Sequence, residues 1–155
     1  METGIVGAGD QGSLWSSTKL DLGLRTELLL GRSSPRDFGF GPWVQARTTW
    51  FDGADYGGGA VALLPVDSAL PIWVGAGAFE RRRQDSWSPG IDAFIGFGSR
   101  SYDYHDPYAM VLGATLDVRA VLGPVRQTDV ILCLQLDLEV LAMPAMYLFS
   151  RLLHA

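Results

Sequence analysis

The chain has 155 residues, 48% hydrophobic and 19% charged, with a net charge of −5 and a single cysteine, Cys133. That length is one domain by the usual prior, and the acidic balance speaks against nucleic acid, which requires a basic stripe. No run of about 18 consecutive apolar residues exists, which excludes a transmembrane helix, and one cysteine excludes an intrachain disulfide.

Residues 1–17 are rich in Gly and Ser and read as a flexible arm, leaving 18–155 as a single domain. Met1 to Gln11 has neither the basic nor the apolar region of a signal peptide; a mature segment or a chain that is never exported is expected. From 18 to 31 the chain alternates. Leu20, Leu22, Leu24, Thr26, Leu28 and Leu30 share one face, and Asp21, Gly23, Arg25 and Glu27 the other. A period of two is a strand, because successive side chains point to opposite faces.

Further strands are predicted at 40–51, 55–64, 71–82, 91–104, 108–122 and 129–142. Val44, Ala46, Thr48 and Trp50 oppose Gln45, Arg47 and Thr49 in the second. The third, with Gly57, Gly58 and Gly59, is weakly patterned and suits close packing. Ile91, Ala93, Ile95 and Phe97 oppose Asp92, Phe94, Gly96 and Arg100 in the fifth. In the last, Val130, Leu132, Leu134, Leu136, Leu138 and Val140 oppose Cys133, Gln135, Asp137 and Glu139. Turn chemistry separates the strands, as at Ser33 to Asp37, Asp52-Gly53, Ser86 to Gly90, His105 to Pro107 and Gly123-Pro124. The tail, 144–155, reads equally as an eighth strand or as a short helix with Pro144 at its first position.

Strands this long and this two-faced, joined by short connections, predict an antiparallel up-and-down β-barrel of about eight strands. The polar face carries both signs: Asp21, Arg25, Glu27, Arg47, Asp92, Arg100, Asp117, Arg119, Asp137 and Glu139. In a membrane barrel this face is the lumen, where charges pair because an unpaired buried charge costs several kcal/mol. A lumen of eight strands holds only side chains. In a soluble barrel the same face is the wet exterior, and the apolar face turns inward to hold a hydrophobic ligand or serves an assembly.

Aromatic residues gather at two rims under an alternating topology. Trp50, Phe51, Tyr56, Phe79 and Trp87 fall at one, and Phe38, Phe40, Trp43, Trp73, Tyr102, Tyr104 and Tyr108 at the other, although Trp43 and Trp73 also fall on the inward register. Two aromatic girdles flanking an apolar band mark membrane barrels. With Gly-aromatic stretches such as Phe94-Ile95-Gly96-Phe97-Gly98, residues 18–142 resemble small bacterial outer-membrane β-barrel proteins. The resemblance implies a bacterial outer-membrane location, membrane lipid as the contact, and no cofactor. The chain departs from that pattern in ending Leu152-Leu153-His154-Ala155 without a terminal aromatic residue.

Arg81, Arg82 and Arg83 are the candidate contact for lipid phosphate, which arginine grips bidentately; a solvated loop is the plainer role. His105, beside Ser99, Ser101, Asp103 and Asp106, lacks any orienting motif for nucleophilic catalysis. Two histidines and one cysteine lack metal-ligand spacing, and no phosphate-binding loop follows the glycines. The expectation is a non-enzymatic barrel with a plugged polar lumen, structural or meeting lipid or a partner through loops 32–39 and 82–90. No metal, cofactor or nucleic acid is expected; a protein partner is unknown.

Overall fold

The computed structural model describes residues 2–9, 17–34, 36–51, 53–66, 70–83, 86–98, 112–123 and 126–136. These are all-β: β1 (Glu2–Gly9), β2 (Ser17–Glu27), β3 (Gly39–Thr49), β4 (Ala54–Leu64), β5 (Ile72–Arg83), β6 (Ser86–Gly98), β7 (Leu112–Val121) and β8 (Gln127–Leu136). Strands β2 to β8 form an up-and-down antiparallel meander, and β1 pairs with both β2 and β8 to close the barrel.

The closing strand corrects the reading of 1–17 as a flexible arm. Glu2–Gly9 lies in register with β2 from Glu2↔Gly23 to Ala8↔Ser17, and with β8 from Glu2↔Gln135 to Gly9↔Thr128. Glycine and alanine hid this strand by leaving no alternation to read, whereas the open edges of β2 and β8 supply its backbone partners. Residues 86–90, expected as a turn, are the first part of β6. Pro89 is exposed there, and its carbonyl accepts a hydrogen bond from the Leu122 N–H at 2.8 Å. The tail 144–155 lies outside the described residues.

Register sets the shape. On β2, Asp21 pairs directly with Thr49 of β3. The other way round, the row runs through Gly4, Cys133, Thr115, Gly96, Trp73 and Leu63 to Gly39, ten residues from Thr49 on the same strand. A displacement of ten over eight strands corresponds to a strand tilt of roughly 40°. The hairpin through 50–53 and the β5–β6 and β7–β8 connections share one end, here the turn end. Connections 28–38 and 65–71 lie at the other, the loop end.

The interior accommodates large side chains by placing glycine opposite them. Trp73 faces Gly96 across the β5–β6 pair, and Phe94 faces Gly75. A Cβ at either glycine would run into the facing ring. Trp43, Val61, Leu63, Trp73 and Phe94 form the apolar cluster inside, with Leu29 packed against it. Trp43 meets Phe94 edge-on, with ring centroids 5.5 Å apart.

Candidate functional site: a sealed charged lumen and an apolar exterior

Alternation sends one face of every described strand from β2 to β8 inward, and that face is where the charges are. Asp21, Arg47, Asp55, Arg81, Asp92, Asp117, Arg119 and Asp129 are all buried, with Asp21, Asp117 and Arg119 at 0% exposure. Burying this many ions is tolerable only if each is paired and hydrogen-bonded.

The pairing forms one connected chain across the lumen. Arg47 binds Asp21 (Nε to Oδ1, 2.8 Å) and also Asp117, and its Nη2 donates to the Cys133 Sγ. Arg25 reaches Asp117 at 3.1 Å and donates to the Gln45 Oε1 at 3.3 Å. Gln45 in turn donates to Asp92 at 2.6 Å. Asp92 meets Arg119 at 3.4 Å, and Arg119 meets Asp55 at 2.8 Å. Arg81 grips Asp55 bidentately, both bonds 2.8 Å, and reaches Asp129 at 2.7 Å. Members come from every strand from β2 to β8, so the network ties the walls together through the middle.

Aromatic rings flank the ions. The Arg25 guanidinium carbon lies 3.8 Å from the Phe94 ring centroid and 5.4 Å from that of Trp43; Arg119 lies 4.9 Å from that of Phe79. The loop-end interior is therefore packed by the Trp43–Trp73–Phe94 cluster, and the charged network lies beyond it. Buried atoms without a hydrogen-bond partner among the described residues include Asp92 Oδ1, Asp117 Oδ1, Thr115 Oγ1 and Arg119 Nε. No cluster of metal-ligating side chains occurs among the described residues.

Of the ten charges expected on the polar face, Asp21, Arg25, Arg47, Asp92, Asp117 and Arg119 meet in this network. Glu27 sits half-buried on the same face, and Arg100, Asp137 and Glu139 lie outside the described residues. Gln45, expected on the polar face beside Arg47, joins them, as do Asp55 and Asp129, which had not been singled out. Their signal was parity: Asp55 shares its face with Val61 and Leu63, but the intervening glycines blurred the pattern. Arg81 is a correction. It was grouped with Arg82 and Arg83 as a lipid contact, yet it points inward at 6% exposure, whereas Arg82 is exposed and Arg83 half-buried. A strand separates consecutive arginines onto opposite faces.

Trp43, Trp73 and Phe79 are likewise interior side chains, not members of a rim. Trp50, Phe51, Tyr56 and Trp87 are exposed at the turn end, and Phe38 and Phe40 at the loop end. Tyr102, Tyr104, Tyr108 and His105 lie outside the described residues.

The outward face is apolar. Leu20, Leu24, Val44, Ile91, Ile95, Phe97, Leu116, Val118, Leu132 and Leu134 are each 41–62% exposed. Outward charges on β2 to β8, among the described residues, are confined to Glu80 and Arg82, near the turn end of β5. On β6 the outward side chains from Trp87 to Phe97 span roughly 25 Å along the barrel axis at about 3.3 Å per residue and about 40° tilt. No family model, no curated protein and no solved structure matches this chain.

Proposed function

We propose that this protein is a non-enzymatic, membrane-spanning β-barrel of the bacterial outer-membrane type, with a lumen plugged by its own side chains. The supporting observation is the inverted distribution of polarity: ions sealed inside, leucine, isoleucine, valine and phenylalanine outside. Soluble monomers rarely expose contiguous apolar patches larger than a few hundred Å², while an outward apolar band about 25 Å tall is the dimension of a membrane barrel. Exposed Trp50, Phe51, Tyr56 and Trp87 at one end, with Phe38 and Phe40 at the other, suit interfacial girdles. Its role is structural, with lipid as the contact of the barrel wall. A soluble barrel holding a hydrophobic ligand calls for the opposite orientation of the faces.

The test is refolding with and without detergent, followed by electrophoresis of unheated and heated samples. The expected protein needs detergent or lipid to stay monodisperse and migrates differently before boiling. A monodisperse monomer in plain buffer overturns the proposal.

A further inference from the structure

The only outward-pointing arginine on the described strands is Arg82, and its surroundings are built. Trp87 lies directly across the β5–β6 pair from Arg82, with the guanidinium carbon 5.7 Å from its ring centroid. Tyr56 lies across β4–β5 from Glu80, and its ring is 6.4 Å from that of Trp87. Beside this shelf projects the β3–β4 hairpin, whose Trp50 and Phe51 are 64% and 77% exposed and have φ of 54° and 57°. Left-handed backbone is unfavourable for bulky side chains, and Asn-Gly is the usual pair at such a turn. Two aromatic residues held there at a backbone cost point to a contact made outside the chain.

Resting on the membrane reading above, we propose that Arg82, Trp87 and Tyr56, with Trp50 and Phe51 beside them, form a headgroup shelf that takes the phosphodiester of an anionic phospholipid. The guanidinium supplies paired donors for phosphate oxygens. The Trp87 face holds the cation flat, and the apolar wall below it receives the acyl chains. Position favours a lipid over free phosphate: Arg82 stands on the outward face where the apolar band ends, at headgroup depth. Glu80, one pleat deeper on the same face, opposes a second anion and tempers the preference.

The experiment measures Trp fluorescence in nanodiscs of phosphatidylcholine mixed with brominated phosphatidylglycerol, and in the converse mixture, to give the relative affinity of the two lipids. The wild type is expected to favour phosphatidylglycerol about fivefold, the effect of one basic residue near the membrane surface. Arg82→Gln is expected to bring the ratio close to one and Glu80→Gln to raise it. Millimolar inorganic phosphate leaves it unchanged. Equal affinities in the wild type, or an unaltered preference in Arg82→Gln, overturn the proposal, and displacement by inorganic phosphate assigns the site to the free anion and overturns it too. Heat-modifiable migration of each variant checks that it is folded. Quenching by both lipids without preference leaves the membrane reading standing while the shelf fails; no quenching by either removes the membrane reading itself.

Discussion

A buried arginine in this barrel does two things: it neutralises carboxylates and it spans the lumen. Arg119 touches both Asp55 and Asp92, and its side chain is fully sealed. Removing it leaves Asp92 with the neutral Gln45 amide in place of a cation and Asp55 with Arg81 alone, so Arg119→Ala is expected to cost about 3–5 kcal/mol, read as a shifted urea midpoint in detergent. The same change on a wet surface would stay within about ±0.5 kcal/mol. Glycine has the complementary role. Gly75→Val is expected to destabilise the barrel because the new side chain collides with the Phe94 ring. Combining it with Phe94→Ala should recover part of the loss, and a double-mutant cycle in the same urea assay measures that coupling.

At the scale of elements, the two ends of the barrel use different turn chemistry. The β3–β4 hairpin carries Trp50 and Phe51 in left-handed backbone, worth about 1–2 kcal/mol of strain per residue. Exchanging them for Asn-Gly is expected to raise the midpoint of unfolding in detergent while slowing insertion into vesicles; thermal melts and an insertion time course separate the two effects. On the β2–β3 connection, the Asp37 Oδ2 accepts from the backbone N–H groups of Ser33 and Ser34 at 2.8 and 2.7 Å. The Ser33 backbone donor first, then the Ser34 side chain, lower its carboxyl pKa from the ordinary 3.8. Because the folded value is depressed, the turn is fully supported above pH 3.8 and loosens as pH falls through the lowered value. Amide exchange at Ser33 and Ser34 should rise over that acidic range, and at neutral pH in Asp37→Ala.

For the whole molecule, the direction of the faces makes a mid-strand charge informative. Leu132, in the middle of β8, is 62% exposed. Arginine there would be nearly neutral in water, whereas on a lipid-facing midplane it costs about 2–4 kcal/mol. Leu132→Arg is therefore expected to fold poorly into bilayers, measured as the fraction reaching the heat-modifiable form. The sealed network and the Trp43–Trp73–Phe94 packing predict no steady conductance in a planar bilayer. Replacing Trp73 and Phe94 together by alanine should admit ions only if the charged network is broken as well, for example with Arg47→Ala.

Much of the architecture was legible in the chain. Alternation identified the strands Ser17–Glu27 and Gln127–Leu136, its parity divided leucines from carboxylates, and short Gly, Pro and Asp turns implied a meander. These are local properties, carried by neighbouring residues through a two-residue period. The closing strand Glu2–Gly9 was not legible, because its small residues draw their order from the edges of β2 and β8. Arg81, grouped by adjacency with Arg82 and Arg83, and Phe79, assigned to a rim by its place near a strand end, lie on the inward pleat, as do Trp43 and Trp73, whose inward register the alternation already carried. The sequence determined which residues share a face. Only closure of the barrel decided which face is inside, because a period of two is unchanged when the sheet curls the other way.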